Sequence, residues 1–141
     1  SSDLQEFDLS EIGTVANLLI TESGDTRIWL FSGDPGAGKT TLIRALTGLL
    51  GADSSSVSSP TFALLNDYPA AAGTIHHFDL YRVRALAELY DIGMDEYLDS
   101  GEYCLVEWPD KLGNLAPSRY FSVSLEITGP QTRKITYATH D

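Results

Sequence analysis

The stretch Gly33-Asp34-Pro35-Gly36-Ala37-Gly38-Lys39-Thr40 has the form G-x-x-x-x-G-K-[ST], which is the pattern of a phosphate-binding loop. The apolar run Ile28-Trp29-Leu30-Phe31 precedes it, and apolar residues at helical spacing follow between residues 41 and 50. A strand, a glycine-rich turn and a helix in this order direct backbone N–H groups and a helix N-terminus at one anion. The sequence therefore predicts an α/β P-loop fold that binds a nucleoside triphosphate. The alternative is a glycine-rich turn without a ligand.

The spacing within the loop assigns roles to individual residues. Backbone N–H groups from Asp34 to Thr40 should surround the β-phosphate, Lys39 should reach the β- and γ-phosphates, and the Thr40 hydroxyl should ligate Mg²⁺. For Thr41 two roles stay open, namely a phosphate contact or a hydrogen bond within the first helical turn. The candidate nucleotide-binding residues of the loop are Gly33, Asp34, Pro35, Gly36, Ala37, Gly38, Lys39, Thr40 and Thr41.

Two acidic residues are placed to complete a catalytic site. Glu107 directly follows the apolar run Tyr103-Cys104-Leu105-Val106, and Asp79 follows the strand-like run 75–78. An acid at the tip of a strand beside a phosphate loop can hold Mg²⁺ or orient an attacking water. We therefore predict Lys39, Asp79 and Glu107 as catalytic and Thr40, Asp79 and Glu107 as metal-binding. A solvated acid or a local ion pair is the alternative for each carboxylate.

The remaining patterns predict a single domain spanning residues 1–141. A helix with Ser10 as its N-cap precedes the loop, strands 61–68 and 74–81 form a hairpin, and residues 85–98 form two short helices separated at Gly93. A buried strand is expected at 102–107. Residues 121–128 and 133–139 alternate between apolar and polar residues and predict a C-terminal β-hairpin.

Composition restricts the class of protein. The formal charge of −11, from 20 acidic and 9 basic residues, argues against a large nucleic-acid surface, which needs clustered Lys and Arg. Cys104 is the only cysteine, so no intrachain disulfide is possible and a reducing cytoplasm is the expected location. No apolar run approaches the length of a membrane span. His76 and His77 should point to opposite faces of one strand and hold no common metal.

Three short motifs then complete a resemblance to a known family. They are Ser59-Pro60-Thr61, the run His77-Phe78-Asp79-Leu80-Tyr81-Arg82, and Leu105-Val106-Glu107-Trp108. In this order after the phosphate loop they resemble the TsaE (YjeE) family, over about residues 10 to 117. From the residues alone, Thr61 is either part of a γ-phosphate-sensing switch or a simple turn, and Trp108 either stacks on a ligand or packs in the core.

The resemblance implies a three-layer P-loop NTPase-like fold with a mixed, partly parallel sheet, and ATP/ADP and Mg²⁺ as ligands. It also implies weak ATPase activity, and a turnover or reset role with the TsaD and TsaB proteins in tRNA threonylcarbamoyladenosine biosynthesis. tRNA would be contacted only through those partners. By motif, Thr61 would belong to a switch-like segment and Trp108 would lie on the nucleotide or partner side. The rival functions are a small-molecule kinase, which usually has a closing lid for which this sequence shows no obvious insertion, and a nucleotide-dependent binding switch.

Overall fold

The computed structural model describes residues 2–52, 64–71 and 73–141. These residues form seven strands and four helices, with 3-10 turns at Leu9–Glu11 and Pro109–Leu115. The strands are β1 (Ser2–Asp8), β2 (Ile28–Gly33), β3 (Leu65–Ala70), β4 (Gly73–Asp79), β5 (Tyr103–Glu107), β6 (Tyr120–Ile127) and β7 (Thr132–His140). The helices are α1 (Ile12–Ser23), α2 (Lys39–Leu49), α3 (Leu86–Asp91) and α4 (Met94–Leu98).

All seven strands belong to one mixed sheet in the order β1-β7-β6-β2-β5-β4-β3. The central strand β2 is parallel to both β5 and β6, and β4 is parallel to β5. The hairpins β3-β4 and β6-β7 and the edge pair β1-β7 are antiparallel. The carboxyl ends of β2, β4 and β5 consequently meet at one edge, which is where parallel sheets place ligand sites.

Helices cover both faces of the sheet, so the protein has three layers. On β2, Trp29 and Phe31 pack with α1 and α2, whereas Leu30 between them packs with α3 and α4. This alternation follows from the two-residue period of a strand. The predicted α/β fold with a mixed sheet and a C-terminal hairpin is confirmed.

Most of the predicted elements form close to their expected bounds. The helix after the loop ends before Gly51, whose φ of 93° is the left-handed conformation expected after a helix. Gly93, with a φ of 77°, separates α3 from α4 as predicted. The first hairpin is shifted, because Pro69 and Ala70 belong to β3 rather than to the turn.

The N-terminal segment differs from the prediction in two ways. Residues 2–8 form β1, a strand that was not predicted, because backbone pairing with β7 holds this edge strand without an alternating apolar pattern. Ser10 does not cap a helix. Instead the Asp8 carboxylate accepts from the Ser10 N–H at 2.9 Å and the Glu11 carboxylate accepts from the Asp8 N–H at 3.0 Å, which together form a capping box.

The helices of residues 2–52, 64–71 and 73–141 are too short or too polar for any of them to cross a membrane.

Candidate functional site

The glycines of the phosphate loop adopt backbone conformations that other residues rarely reach. Gly36 and Gly38 have φ values of 85° and 105°. Gly33, at the end of β2, has a φ of 143°, and a Cβ there would lie 2.6 Å from the backbone oxygen of Leu125 on β6. The loop can therefore leave the sheet in this path only with glycine at position 33.

Lys39 is the first residue of α2 and is buried, with 6% of the residue exposed. Its Nζ donates a hydrogen bond to the Gly33 carbonyl and lies 4.2 Å from the centre of the Trp108 ring. Thr40 and Thr41 follow in the first turn and are exposed to solvent. An ammonium, a helix N-terminus and two hydroxyls thus converge at the loop, and these are groups that bind phosphate.

The two predicted acids lie side by side where their parallel strands end. Asp79 and Glu107 are partners in the β4-β5 register, and Phe31 of β2 is the partner of Glu107 on its other side. The environments of the two carboxylates differ. Asp79 is exposed and accepts from the Tyr81 N–H at 3.1 Å, whereas Glu107 is only 5% exposed.

A buried histidine holds the Glu107 carboxylate. His77 Nε2 lies 2.8 Å from Glu107 Oε2, and an ionised carboxylate, which only accepts, pairs with the tautomer that carries its proton on Nε2. Among the described residues the other ring nitrogen, Nδ1, is buried without a hydrogen-bond partner. His76 points to the opposite face, where Asp67 and Glu102 flank it, as the strand period predicts. The sequence predicted only that the two histidines point to opposite faces, and this contact of His77 with Glu107 was not predicted.

Trp108 is the one non-glycine residue with a positive φ, 59°, in the part of the chain that the structure describes. A bulky residue in this conformation is strained, and such strain concentrates at functional sites. The turn brings its indole over Lys39 and within 5.0 Å of the Tyr81 ring, which is 57% exposed. Two aromatic rings consequently stand beside the loop.

These groups line one cavity of about 510 Å³. A cavity of this size lies within the usual range for small-ligand sites, about 300–1,000 Å³. Its lining residues are Pro35, Gly36, Gly38, Lys39, Thr40, Thr41, Asp79, Tyr81, Glu107 and Trp108.

Not every predicted nucleotide-binding residue lines this cavity. Gly33, Asp34 and Ala37 lie outside its lining. Gly33 ends β2, the Asp34 carbonyl accepts from the Ala37 N–H at 3.0 Å, and Ala37 is fully buried. Thr61 and the rest of Ser59-Pro60-Thr61 lie outside the described residues. Tyr81 was not assigned a role from sequence, although it stands in the same short run as Asp79.

The oxygen atoms that line the cavity suit a hard cation whose ligands come partly from the protein and partly from a bound phosphate. In the described residues, no three His, Cys, Asp or Glu side chains gather into a self-sufficient metal centre. Thr40, Asp79 and Glu107 instead offer one hydroxyl and two carboxylates beside the loop. Mg²⁺ in nucleotide sites characteristically takes one or two protein carboxylates and completes its shell with phosphate and water.

Sequence comparisons identify related proteins. The family model described as "Threonylcarbamoyl adenosine biosynthesis protein TsaE" matches residues 7–135. A tRNA threonylcarbamoyladenosine biosynthesis protein TsaE from Rickettsia conorii is 35% identical over 130 residues, covering 92% of this chain and 74% of the relative. Proteins of the same name from Haemophilus influenzae and Bacillus subtilis are 34% and 31% identical, over 86% and 90% of this chain and 77% and 78% of the relatives.

A comparison with solved structures supports the fold independently. The crystal structure of YdiB from Bacillus subtilis superposes with a TM-score of 0.75 at 23% identity, covering all of this chain and 87% of the other. The three-layer arrangement described above is thus shared with an experimentally determined structure.

Proposed function

Because this chain belongs to the TsaE family, we propose that it binds and hydrolyses ATP as a component of tRNA threonylcarbamoyladenosine biosynthesis. One observation carries the ATPase part of this proposal. The phosphate loop and the acids at the ends of β4 and β5 line a single cavity, although Lys39 and Glu107 are far apart in sequence. A loop alone binds phosphate, whereas hydrolysis also needs carboxylates at this position.

Nucleotide binding would rest on the loop and on the start of α2. Backbone N–H groups of the loop and of the N-terminus of α2 would donate hydrogen bonds to the phosphates, with the Lys39 ammonium adding positive charge. The Lys39 ammonium already lies within the cavity, positioned by the Gly33 carbonyl and the Trp108 ring. The side chain is therefore ordered before a phosphate arrives, which lowers the entropic cost of binding.

Mg²⁺ would be held by the Thr40 hydroxyl and by one or both of Asp79 and Glu107. A bound Mg²⁺ would supply charge neutralisation at the phosphate oxygens. Asp79, the exposed acid, is the side chain that can turn toward a hydrated ion most freely. Glu107 is fixed by His77, and a fixed carboxylate is suited to accepting a hydrogen bond from water in a constant direction.

Partner proteins are expected to regulate this activity. We propose that TsaD and TsaB bind the chain and that its ATPase cycle resets their complex, with tRNA contacted only through them. The net charge of −11 supports docking on protein rather than on nucleic acid, because tRNA would be repelled. Weak hydrolysis by the isolated chain is the expected behaviour if a partner completes the site.

ATP hydrolysis by the purified chain, alone and with TsaD and TsaB, tests the proposal. We expect turnover to rise when the partners are added and to be lost in Lys39→Ala and Glu107→Gln. Lys134→Ala is the matched control, since Lys134 lies on β7 and does not line the cavity. Hydrolysis at the wild-type rate by both cavity variants would show that the reaction does not use this site. An absence of any effect of the partners would remove the TsaD and TsaB part of the proposal.

A further inference from the structure

A buried arginine connects the C-terminal hairpin to the back of the phosphate loop. Arg133 lies near the start of β7 and is 7% exposed. Its Nε donates to the Ala37 carbonyl at 3.0 Å and its Nη2 donates to the Gly36 carbonyl at 3.3 Å. Its Nη1 donates to the carbonyls of Gly129 and Thr132, at 2.9 and 2.8 Å, in its own hairpin. One guanidinium therefore joins two segments that are 96 residues apart.

The geometry of these bonds fixes the direction of a loop N–H. A trans peptide is planar, so its C=O and N–H groups point to opposite sides. Because the Ala37 carbonyl faces Arg133, the N–H of Gly38 in the same peptide points away from Arg133. Gly38 lines the cavity. Arg133 thus holds one peptide of the loop in the orientation that an anion site requires.

The charge of Arg133 acts in the same direction. Its acceptors are all backbone carbonyls, and no carboxylate within the described ranges forms an ion pair with it. A buried positive charge without a neutralising carboxylate raises the electrostatic potential around it and favours a nearby anion.

We propose that Arg133 is a positioning residue that holds the phosphate loop in its anion-binding conformation and so sets the affinity for nucleotide phosphates. The proposal rests on the nucleotide binding proposed above. It makes the C-terminal hairpin part of the nucleotide site, although no residue of the hairpin lines the cavity.

Calorimetric titration of ADP with Mg²⁺ into Arg133→Met and Arg133→Lys tests this role, at a temperature where melting curves show each variant folded. Loss of hydrogen bonds from a charged donor should weaken ADP binding by Arg133→Met about tenfold or more. Lysine keeps the charge but has a single nitrogen in place of the fork, so Arg133→Lys should weaken binding about fivefold. In ATP hydrolysis the same variants should show a raised KM with a nearly unchanged kcat. This is the expected result because the loop would bind the phosphates equally in the ground state and in the transition state.

Ile135→Val is the matched control for loss of hairpin stability. Ile135 is fully buried on the same strand, two residues from Arg133, and makes no hydrogen bond to the loop through its side chain. It should lower the melting temperature and leave the Kd for ADP unchanged. The inference is overturned if the folded Arg133 variants bind ADP within about twofold of wild type, or if Ile135→Val weakens binding as much as they do. If Arg133→Met fails to fold, Arg133→Lys alone decides. Failure of the wild-type chain to bind ADP or ATP would instead overturn the proposed function.

Discussion

Replacing His77 with phenylalanine should remove an interaction with Glu107 that contributes about 2 kcal/mol to the free energy of unfolding. The estimate follows from the geometry: the two atoms are 2.8 Å apart, and the side chains are only 9% and 6% exposed. A hydrogen bond to a charged group contributes about 1.5–3 kcal/mol. Burial places this pair within that range rather than near the value of an exposed ion pair, which is about 0–1 kcal/mol.

A double-mutant cycle of His77→Phe and Glu107→Leu measures the coupling directly. Phenylalanine keeps a ring against Tyr68, whose ring centre lies 6.4 Å from that of His77, and leucine fills the Glu107 site without a donor or acceptor. Unfolding in urea gives the free energies. With an m-value of about 2 kcal/mol/M, a coupling of this size corresponds to a midpoint shift of about 1 M.

The neighbouring histidine provides the control cycle. His76 faces the other side of the sheet and is flanked by Asp67 and Glu102, at 2.7 and 3.1 Å. A cycle of His76→Phe with Glu107→Leu should therefore give a coupling below about 0.5 kcal/mol. Equal coupling in the two cycles, or a His77 coupling below that limit, would refute the view that His77 holds the Glu107 carboxylate.

Three further outcomes are expected. Gly33→Ala should destabilise the protein by about 1–3 kcal/mol in urea unfolding, because its Cβ would lie 2.6 Å from a β6 carbonyl oxygen; Gly13→Ala, in open space on α1, should be neutral or stabilising. Hydrogen bonds from a β4 backbone N–H and then from an imidazole hold the pKa of Glu102 below its usual 4.5. The stability that these hydrogen bonds provide is therefore present above pH 4.5 and is lost as the pH falls through the lowered pKa. The urea unfolding midpoint of Glu102→Gln should consequently depend less on pH across this acid range than that of the wild type. Burial raises the pKa of Cys104 to about 12, so Ellman's reagent at pH 8 should label it promptly only in denaturant, and rapid labelling of native protein would contradict this.

Local patterns were sufficient to predict the phosphate loop and the acids at the strand ends. The loop is defined by glycines whose conformations no other residue adopts easily, and Asp79 and Glu107 each follow a recognisable apolar run. Both kinds of signal lie within a few neighbouring residues. Hydrophobic periodicity and turn-forming residues act over that distance, so they can be recognised in a single sequence.

Contacts between distant segments could not be predicted in this way. His77 and Glu107 are 30 residues apart, and Arg133 and Ala37 are 96 apart. These contacts depend on which strands become neighbours in the sheet. Neither the hydrophobic period of a strand nor its residue types determine the strand order. The edge strand β1 was missed for a related reason, since its partner β7 lies at the other end of the chain.

The strand order also determines when the site can be assembled during synthesis. β2 carries the phosphate loop and is made early, but both strands that flank it, β5 and β6, are translated later. Until they emerge, β2 exposes apolar side chains and unpaired edges, a state prone to aggregation. The bonds from Arg133 to the loop form only once β7 has left the ribosome. The phosphate loop is thus among the first parts of the sheet to be translated and among the last to be completed.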